Sequence, residues 1–326
     1  MGYAVDVVTV PDFDGPAATR FELYTLLFLA AWVEHQGASR TWPLHLACIG
    51  EPPASVRRLA EEAGASVTVH DPLLLTPGRT SNKLRGFEVA AMTGRILLVD
   101  IDVLILRDLS PLADLVGGGL GVGPATVNHF PEETWRRIYQ AVGIPYPGPT
   151  GTCWCQDDRL ADFRRLTEEQ RAMCRRMPPY FNSGMVMAPG SLDFGTLWAR
   201  HLRQIVRLFN GGVALPNWGG GGEGDEHALA TAVEACRQRG TSVVPIPQLY
   251  HARPLLLRSG LLTWTDVAAF HYHNALKAHA RDVHDMTRLA EVIPPDQRSE
   301  IRAFYEYVDH LYLTRIQPVL GGAGAL

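Results

Sequence analysis

The chain has 326 residues, 46% of them hydrophobic and 20% charged, the balance of a folded globular protein and not of a disordered or fibrous one. A net charge of −4 gives no broad positive field, so no nucleic-acid partner is expected, and no apolar run reaches the roughly 20 residues of a membrane span. Five scattered cysteines make no disulfide framework, and the N-terminal MGYAVDVVTV has no basic stretch ahead of an apolar one, so the expectation is a cytoplasmic protein.

In chain order, apolar β-branched runs alternate with segments of helical spacing. Ala4–Val10 reads as a strand that stops at Pro11. Ala17–His35 reads as a helix ended by Gly37, with Leu23–Val33 its core face. Leu44–Ile49 is a strand, Ala54–Ala63 an Arg/Glu-faced helix ended by Gly64, and Ser66–His70 a strand. Asn82–Met92 reads as a helix and Ile96–Val99 as a buried strand. Strands alternating with helices predict an α/β fold with a mostly parallel sheet, whose ligands sit at the carboxyl ends of the strands. Beyond residue 124 the pattern loosens. Met185–Ala188, Ser242–Ile246 and Val267–Tyr272 read as strands, and Leu192–Phe209, Glu226–Arg237 and Arg298–Thr314 as helices. No flexible linker divides the halves, so residues 1–316 are expected to form one domain followed by a flexible tail over 317–326.

The basic residues are unevenly chosen: 28 arginines and only two lysines, Lys83 and Lys277. On a surface either cation serves. Where a compact ammonium must reach a phosphate or sugar, a planar guanidinium does not replace it, which singles out these two positions.

The segment Arg95–Leu106, RILLVDIDVLIL, is apolar except for Asp100 and Asp102. In an extended chain the two carboxylates point to one face, where they repel and lose water unless a cation neutralises them. A divalent ion is one solution; the other reading ends the strand at Asp100 and leaves Asp102 in a solvated turn. Far downstream, His271 closes a strand, and Lys277 lies six residues on. An imidazole at a strand end can complete a site begun by carboxylates, and that mixed set suits Mn²⁺ better than Mg²⁺. A hydrogen-bonded structural histidine is the alternative.

These segments, in this order, resemble the donor half of GT-A glycosyltransferases of the glycogenin/galactosyltransferase type, a family-8-like pattern. The carriers are Asn82-Lys83-Leu84 followed by a helix and the Asp100-Ile101-Asp102 strand, then Tyr180-Phe181-Asn182-Ser183-Gly184, Gly224-Asp225-Glu226-His227-Ala228-Leu229, and His271-x-x-Asn274-x-x-Lys277. The resemblance implies a Rossmann-like sheet flanked by helices, with a nucleotide-sugar-binding half over 1–123 and an elaborated acceptor half over 124–316. It implies a sugar transferred from a nucleoside diphosphate, UDP on family grounds, to a hydroxyl or amine of a small-molecule, glycan or peptide acceptor, with retention. Asp100, Asp102 and His271 would hold Mn²⁺ (or Mg²⁺). Lys277 and Asn274 would meet the diphosphate, Lys83 the sugar or β-phosphate, and Thr9 and Phe13 the base. Asn182, Asp225 and Glu226 would surround the donor sugar as the catalytic group.

Three positions depart from the family pattern. Asn274 stands for a glycine, Ala278-His279 for Pro-Trp, and Glu226 for a glutamine, where a carboxylate is capable of attack or base catalysis as an amide is not. A nucleotidyltransferase or nucleotide-sugar hydrolase would use the same Asp-x-Asp geometry, and a non-catalytic sugar-binding module would keep the fold alone. Glu223 is a further carboxylate in the glycine-rich loop, and Trp218 a candidate sugar-stacking residue there. Cys153, Cys155 and Cys174 read as structural or free thiols, and Arg164, Arg165, Arg171, Arg175 and Arg176 as a solvated face.

Overall fold

The computed structural model describes residues 4–76, 79–89, 94–125, 130–149, 167–210, 224–272, 274–277, 282–283, 285–288 and 301–321. Cys153, Cys155, Arg164, Arg165, Trp218 and Glu223 lie outside the described residues, and Cys174, Arg175, Asn274 and Lys277 are described in backbone only.

The apolar runs become strands β1 (Val5–Thr9), β2 (Leu44–Ile49), β3 (Ala65–His70), β4 (Arg95–Val99), β5 (Val103–Ile105), β6 (Leu120–Pro124), β7 (Phe181–Pro189), β8 (Val243–Pro245) and β9 (Ala269–His271). Seven form one sheet in the order β3-β2-β1-β4-β7-β6-β8, and β5 and β9 pair separately. All neighbours in the large sheet run parallel except at β7, which is antiparallel to both β4 and β6. Its reversal brings the entry of β7 to the end of the sheet where β4 leaves, and that end carries the site.

The helices are α1 (Ala18–Glu34), α2 (Ala54–Ala63), α3 (Ser110–Val116), α4 (Glu132–Ala141), α5 (Glu168–Arg175), α6 (Phe194–Asn210), α7 (Asp225–Gln238) and α8 (Arg302–Leu311). Helix α1 is apolar all round, and every residue from Leu23 to Trp32 is buried, as a helix packed on several sides must be. Helix α2 ends at Gly64, whose φ of 69° supplies the left-handed residue that closes its last turn. At the far end, α8 lays Phe304 against Phe270, Tyr272 and Trp264, ring to ring at 5.0 to 6.2 Å. This packing ties the C-terminal helix to β9. Among the described residues no helix is long and apolar enough to cross a membrane.

Four local expectations are corrected. Asn82–Met92 is not one helix: Thr80–Arg85 forms a 3-10 turn, and α-helical geometry spans Gly86–Val89. A Cβ at Gly86 would sit 2.7 Å from Leu98 Cδ1 and 3.1 Å from Val8 Cγ1, so this turn packs closely on β4 and β1 and a larger residue would push those side chains aside. The run Arg95–Leu106 is not one extended strand, because the chain turns at Ile101-Asp102 and Val103 N–H donates back to the Asp100 carbonyl at 3.1 Å. The strand expected at Met185–Ala188 extends over Phe181–Pro189. The tail is helical at first: a π-helical turn over Tyr312–Ile316 leads into a short helix at Gln317–Gly321, with Val319 and Leu320 packed on the core.

Two histidines of the helical layer are fully buried. His201 of α6 pairs with the Thr231 hydroxyl of α7 at 3.0 Å, and burial lowers its pKa to about 4. His227 of α7 stacks on Phe130 at 4.7 Å, and burial lowers its pKa to about 3. Both folded values lie below 6.5, the ordinary value, so as pH falls the unfolded chain takes up protons first and stability is lost. Each ring removes roughly 1.4 kcal/mol per pH unit at most over this window. Denaturant titrations between pH 7.5 and 4 should therefore show the wild-type protein losing stability relative to His227→Phe, which keeps a ring among rings and does not titrate. Equal slopes for the two proteins would refute the assignment.

Candidate active site

The site gathers at the carboxyl end of β4, and three chain features bring it together. First, the turn after β4 points Asp100 and Asp102 into one space. Asp100 is fixed by its backbone, whose N–H donates to the Gly184 carbonyl of the antiparallel neighbour β7 at 2.9 Å. Second, the chain leaving that turn becomes β5, which pairs antiparallel with β9 so that Val103 lies opposite His271. Tyr272 N–H then donates to the Asp102 carbonyl at 3.1 Å. Third, β7 enters beside Asp100 and contributes Asn182 and Ser183, and α7 begins across from them with Asp225 and Glu226.

The two-stranded sheet decides the convergence. One ligand atom from each of Asp100, Asp102 and His271 lies within 4.8 Å of the others, and His271 Nε2 is 3.2 Å from Asp102 Oδ1. Asp102 is 9% exposed, so the solvated-turn reading of this residue does not hold. Gly184 floors the imidazole: a Cβ there would stand 2.7 Å from His271 Cε1 and 2.8 Å from Asn182 Oδ1. The glycine of the Asn-Ser-Gly segment is thus a requirement of space.

Lys83 sits among the acids. Its ammonium is 3.0 Å from Asp100 Oδ1 and 3.4 Å from Asp225 Oδ2, and it donates to Ser183 Oγ at 2.6 Å. Ser183 in turn donates to Asp225 at 2.9 Å. Burial works against the lysine's charge, but Asp100 and Asp225 more than offset it and hold the ammonium protonated above the usual lysine range. The Asp100 carboxyl is pushed up by burial and by Asp102, with Lys83 opposing.

Glu226 forms the second acidic centre. Tyr180 donates its hydroxyl to Oε2 at 2.6 Å and Asn182 its amide to Oε1 at 2.5 Å. Burial and the adjacent Asp225 raise its pKa, against these two hydrogen bonds and the charge of Arg253. Tyr180 is itself held at 5.4 Å by Trp135 and 5.3 Å by His227, so an aromatic wall sets the direction of its hydroxyl.

Four residues that line the site were given no role by the sequence reading. Tyr180 and Ser183 stand inside a recognised segment but had no assigned task. His251 and Arg253 stand in PQLYHARP, which carries no motif, and an arginine draws no notice in a chain with 28 of them. Arg253 feels the charges of Glu226, Asp102 and Asp100, and burial lowers its pKa. His251 Nε2 lies 3.0 Å from His271 Nδ1, and burial with the neighbouring His271 holds its pKa well below the usual value, so the ring is neutral.

The expected base-binding pair is placed differently. Thr9 is fully buried at the end of β1 and turns no surface to a ligand, while Phe13 is partly buried just beyond. Between them Asp12 is gripped by Arg79 at 2.7 Å and by Asn82 at 2.8 Å. Arg79 is the one non-glycine residue with positive φ, 65°, among the described residues.

The donor set fits a divalent cation. Two carboxylates and a neutral-capable imidazole form a hard-to-borderline group of the kind that takes Mn²⁺. Among the described side chains, the four acids Asp100, Asp102, Asp225 and Glu226 outnumber the two cations Lys83 and Arg253, and the raised pKa of Asp100 and Glu226 reflects the cost of gathering them there.

Known proteins supply the family. Residues 18–211 match the family model described as the Rhodobacterales glycosyltransferase domain, more than half of the chain. No curated protein matches the chain in sequence. Among solved structures, the galactosyltransferase LgtC, determined with donor and acceptor sugar analogs, superposes with a TM-score of 0.51 at 15% identity, over 90% of this chain and 99% of that one. The apo-form glycosyltransferase GlyE of Streptococcus pneumoniae TIGR4 superposes with a TM-score of 0.50 at 12% identity, over 98% of this chain and 63% of that one. At such identities the likeness establishes the GT-A architecture alone, and it agrees with the ordered motifs of the sequence. The chain is a member of the Rhodobacterales glycosyltransferase family, an enzyme of the glycosyltransferase class on a GT-A fold.

Proposed function

We propose that this enzyme transfers a sugar from a nucleoside diphosphate, UDP by resemblance, to an acceptor hydroxyl or amine, and that the transfer depends on a divalent cation. The observation that carries the reading is the convergence of Asp100, Asp102 and His271, one ligand atom of each within 4.8 Å of the others, at the strand end where ligands of α/β sheets bind. When bound, Mn²⁺ or Mg²⁺ would supply a Lewis acid that stabilises the charge developing on the departing diphosphate. Asp100, Asp102 and His271 would hold it, and Lys83, already among the acids, would direct its ammonium to the donor. Lys277 and Asn274 belong to the same proposal as diphosphate contacts, and Phe13 as a wall of the base site. Asn182, Asp225 and Glu226 would surround the transferred sugar. The acceptor is a small molecule, glycan or peptide, and the buried free thiols of Cys48 and Cys236 suit a cytoplasmic enzyme.

Glu226 is the residue on which stereochemistry turns. Both of its oxygens accept strong hydrogen bonds, from Tyr180 and from Asn182. A carboxylate so held is oriented and made less nucleophilic, so the proposal gives it the task of positioning Asn182 and Tyr180 against the sugar, in a reaction that retains configuration. Glu226→Gln keeps the size and one acceptor oxygen. It should lower kcat by about tenfold, the effect of one weakened contact worth about 1.4 kcal/mol, measured with the donor that the wild type uses. A fall of roughly four orders of magnitude would make Glu226 the attacking nucleophile.

The metal and the reaction class are tested together. A panel of nucleotide-sugars is incubated with enzyme and Mn²⁺, and products are separated by mass. Release of the nucleoside diphosphate with a glycosylated acceptor supports the transferase, whereas release of pyrophosphate marks a nucleotidyltransferase. Asp102→Asn should abolish Mn²⁺-enhanced UDP binding in calorimetry and lower kcat/KM by roughly a thousandfold, the several kcal/mol that a Lewis acid contributes. Unchanged activity and unchanged Mn²⁺ response in that variant would overturn the proposed metal role.

A further inference from the structure

We propose that His251 is a positioning residue for the metal centre, setting the ring orientation and proton placement of His271; the inference rests on the metal reading given above. The two imidazoles face each other with His251 Nε2 3.0 Å from His271 Nδ1 and their ring centroids 5.0 Å apart. They are 3% and 5% exposed, so no water competes strongly for this contact. One proton lies between them, on one nitrogen or the other. A histidine that ligates through Nε2 carries its proton on Nδ1 and needs an acceptor there. His251 Nε2 is that acceptor, with the proton of its own ring on Nδ1.

The backbone fixes the pair from both sides. Ala252 N–H donates to the Ala269 carbonyl at 2.9 Å, and His271 N–H donates to the Ala252 carbonyl at 2.8 Å, which laces the His251 segment to β9. The sheet opposite is cut away to admit the second ring. The ladder between β6 and β7 shifts register at Val122/Gly123, and a Cβ on Gly123 would lie 2.5 Å from His251 Nδ1. Gly123 and Gly184 thus clear space for two stacked imidazoles. The choice of partner has an electrostatic reason. A carboxylate commonly accepts from a metal-bound histidine, but four carboxylates already stand at this site; an imidazole orients His271 without adding a fifth acidic group.

The test measures metal binding directly, by the electron paramagnetic resonance signal of free Mn²⁺ during titration, in the wild type, His271→Ala, His251→Leu and His251→Gln. Leucine removes the acceptor and fills the space. Glutamine carries an amide oxygen near the position of Nε2. The expected result is Mn²⁺ binding in the wild type and its loss in His271→Ala. His251→Leu should bind 10 to 100 times more weakly, the usual order for such a partner's removal, and His251→Gln should recover most of that affinity. Thermal midpoints without metal, recorded for both His251 variants, separate binding from packing. Wild-type affinity in His251→Leu, with His271→Ala defective, would overturn the inference and leave the metal centre standing. Equal weakening in Leu and Gln variants that share one lowered thermal midpoint would make His251 a packing residue and also overturn it. Absence of Mn²⁺ binding in the wild type would take down the metal reading and this inference together.

Discussion

The structure depends on the neutralisation of acid in a place with little water. Asp100 and Asp102, from the turn after β4, and Asp225 and Glu226, from the start of α7, are drawn into one end of the sheet, and burial makes each ionised carboxylate costly there. Lys83 is the internal answer, reaching from a 3-10 turn to both Asp100 and Asp225 and sharing Ser183 with them. Arg253 is a second cation facing Glu226 and the Asp pair. Among the described side chains the four acids outnumber the two cations, an excess that a divalent ion would offset under the proposed function. The ammonium has to be compact, because it touches oxygens of three residues at once; this explains physically why a chain otherwise rich in arginine carries a lysine there.

The fold serves this arrangement through two departures from a plain parallel sheet. Reversal of β7 sets the Asn182-Ser183-Gly184 entry beside the exit of β4, so residues more than 80 positions apart meet at one strand end. The separate β5–β9 pair then carries His271 across from the turn that holds Asp102. Glycines mark where side chains yield to this crowding: Gly184 under one imidazole, Gly123 beside the other, Gly86 where the Lys83 turn meets β4. Each is a place where a methyl group would meet an atom of the site or its support.

The acidic residue at Glu226 distinguishes this chain from the pattern it resembles, and its surroundings suit a carboxylate. A glutamine would present both a donor and an acceptor; Glu226 presents acceptors only, and it is met by two donors, the Tyr180 hydroxyl and the Asn182 amide. The aromatic packing of Trp135 and His227 about Tyr180 keeps that hydroxyl in place. Both oxygens of Glu226 are thus hydrogen-bonded, and the second acidic centre is held in place as the first is.

Much of this was legible in the sequence, for reasons of local chemistry. Apolar β-branched runs, helical spacing and terminating glycines determine strands and helices by short-range preference and burial, and β2 and α2 occupy the very residues their patterns predicted. Two aspartates inside an apolar run, and two lysines among 28 arginines, stand out because burial and composition make them anomalous. The same local view failed where contact with distant chain governs. Residues 95–106 allowed either one extended run or a strand ending at Asp100, and the chain turns at Ile101 because β5 leaves the large sheet to pair with β9, a partner more than 160 residues away. Thr9, assigned to the base by the resemblance alone, is fully buried at the end of β1. His251 and Arg253 carried no signal at all, since nothing in PQLYHARP differs from an ordinary loop until the bridge from Ala252 to Phe270 brings it under the site. The chain by itself determined which groups carry charge and which segments are extended or helical, since these follow from each residue and its near neighbours. Only the tertiary structure decided which of those groups share a buried space, because strand reversal, sheet pairing and desolvation act between residues that are remote along the chain.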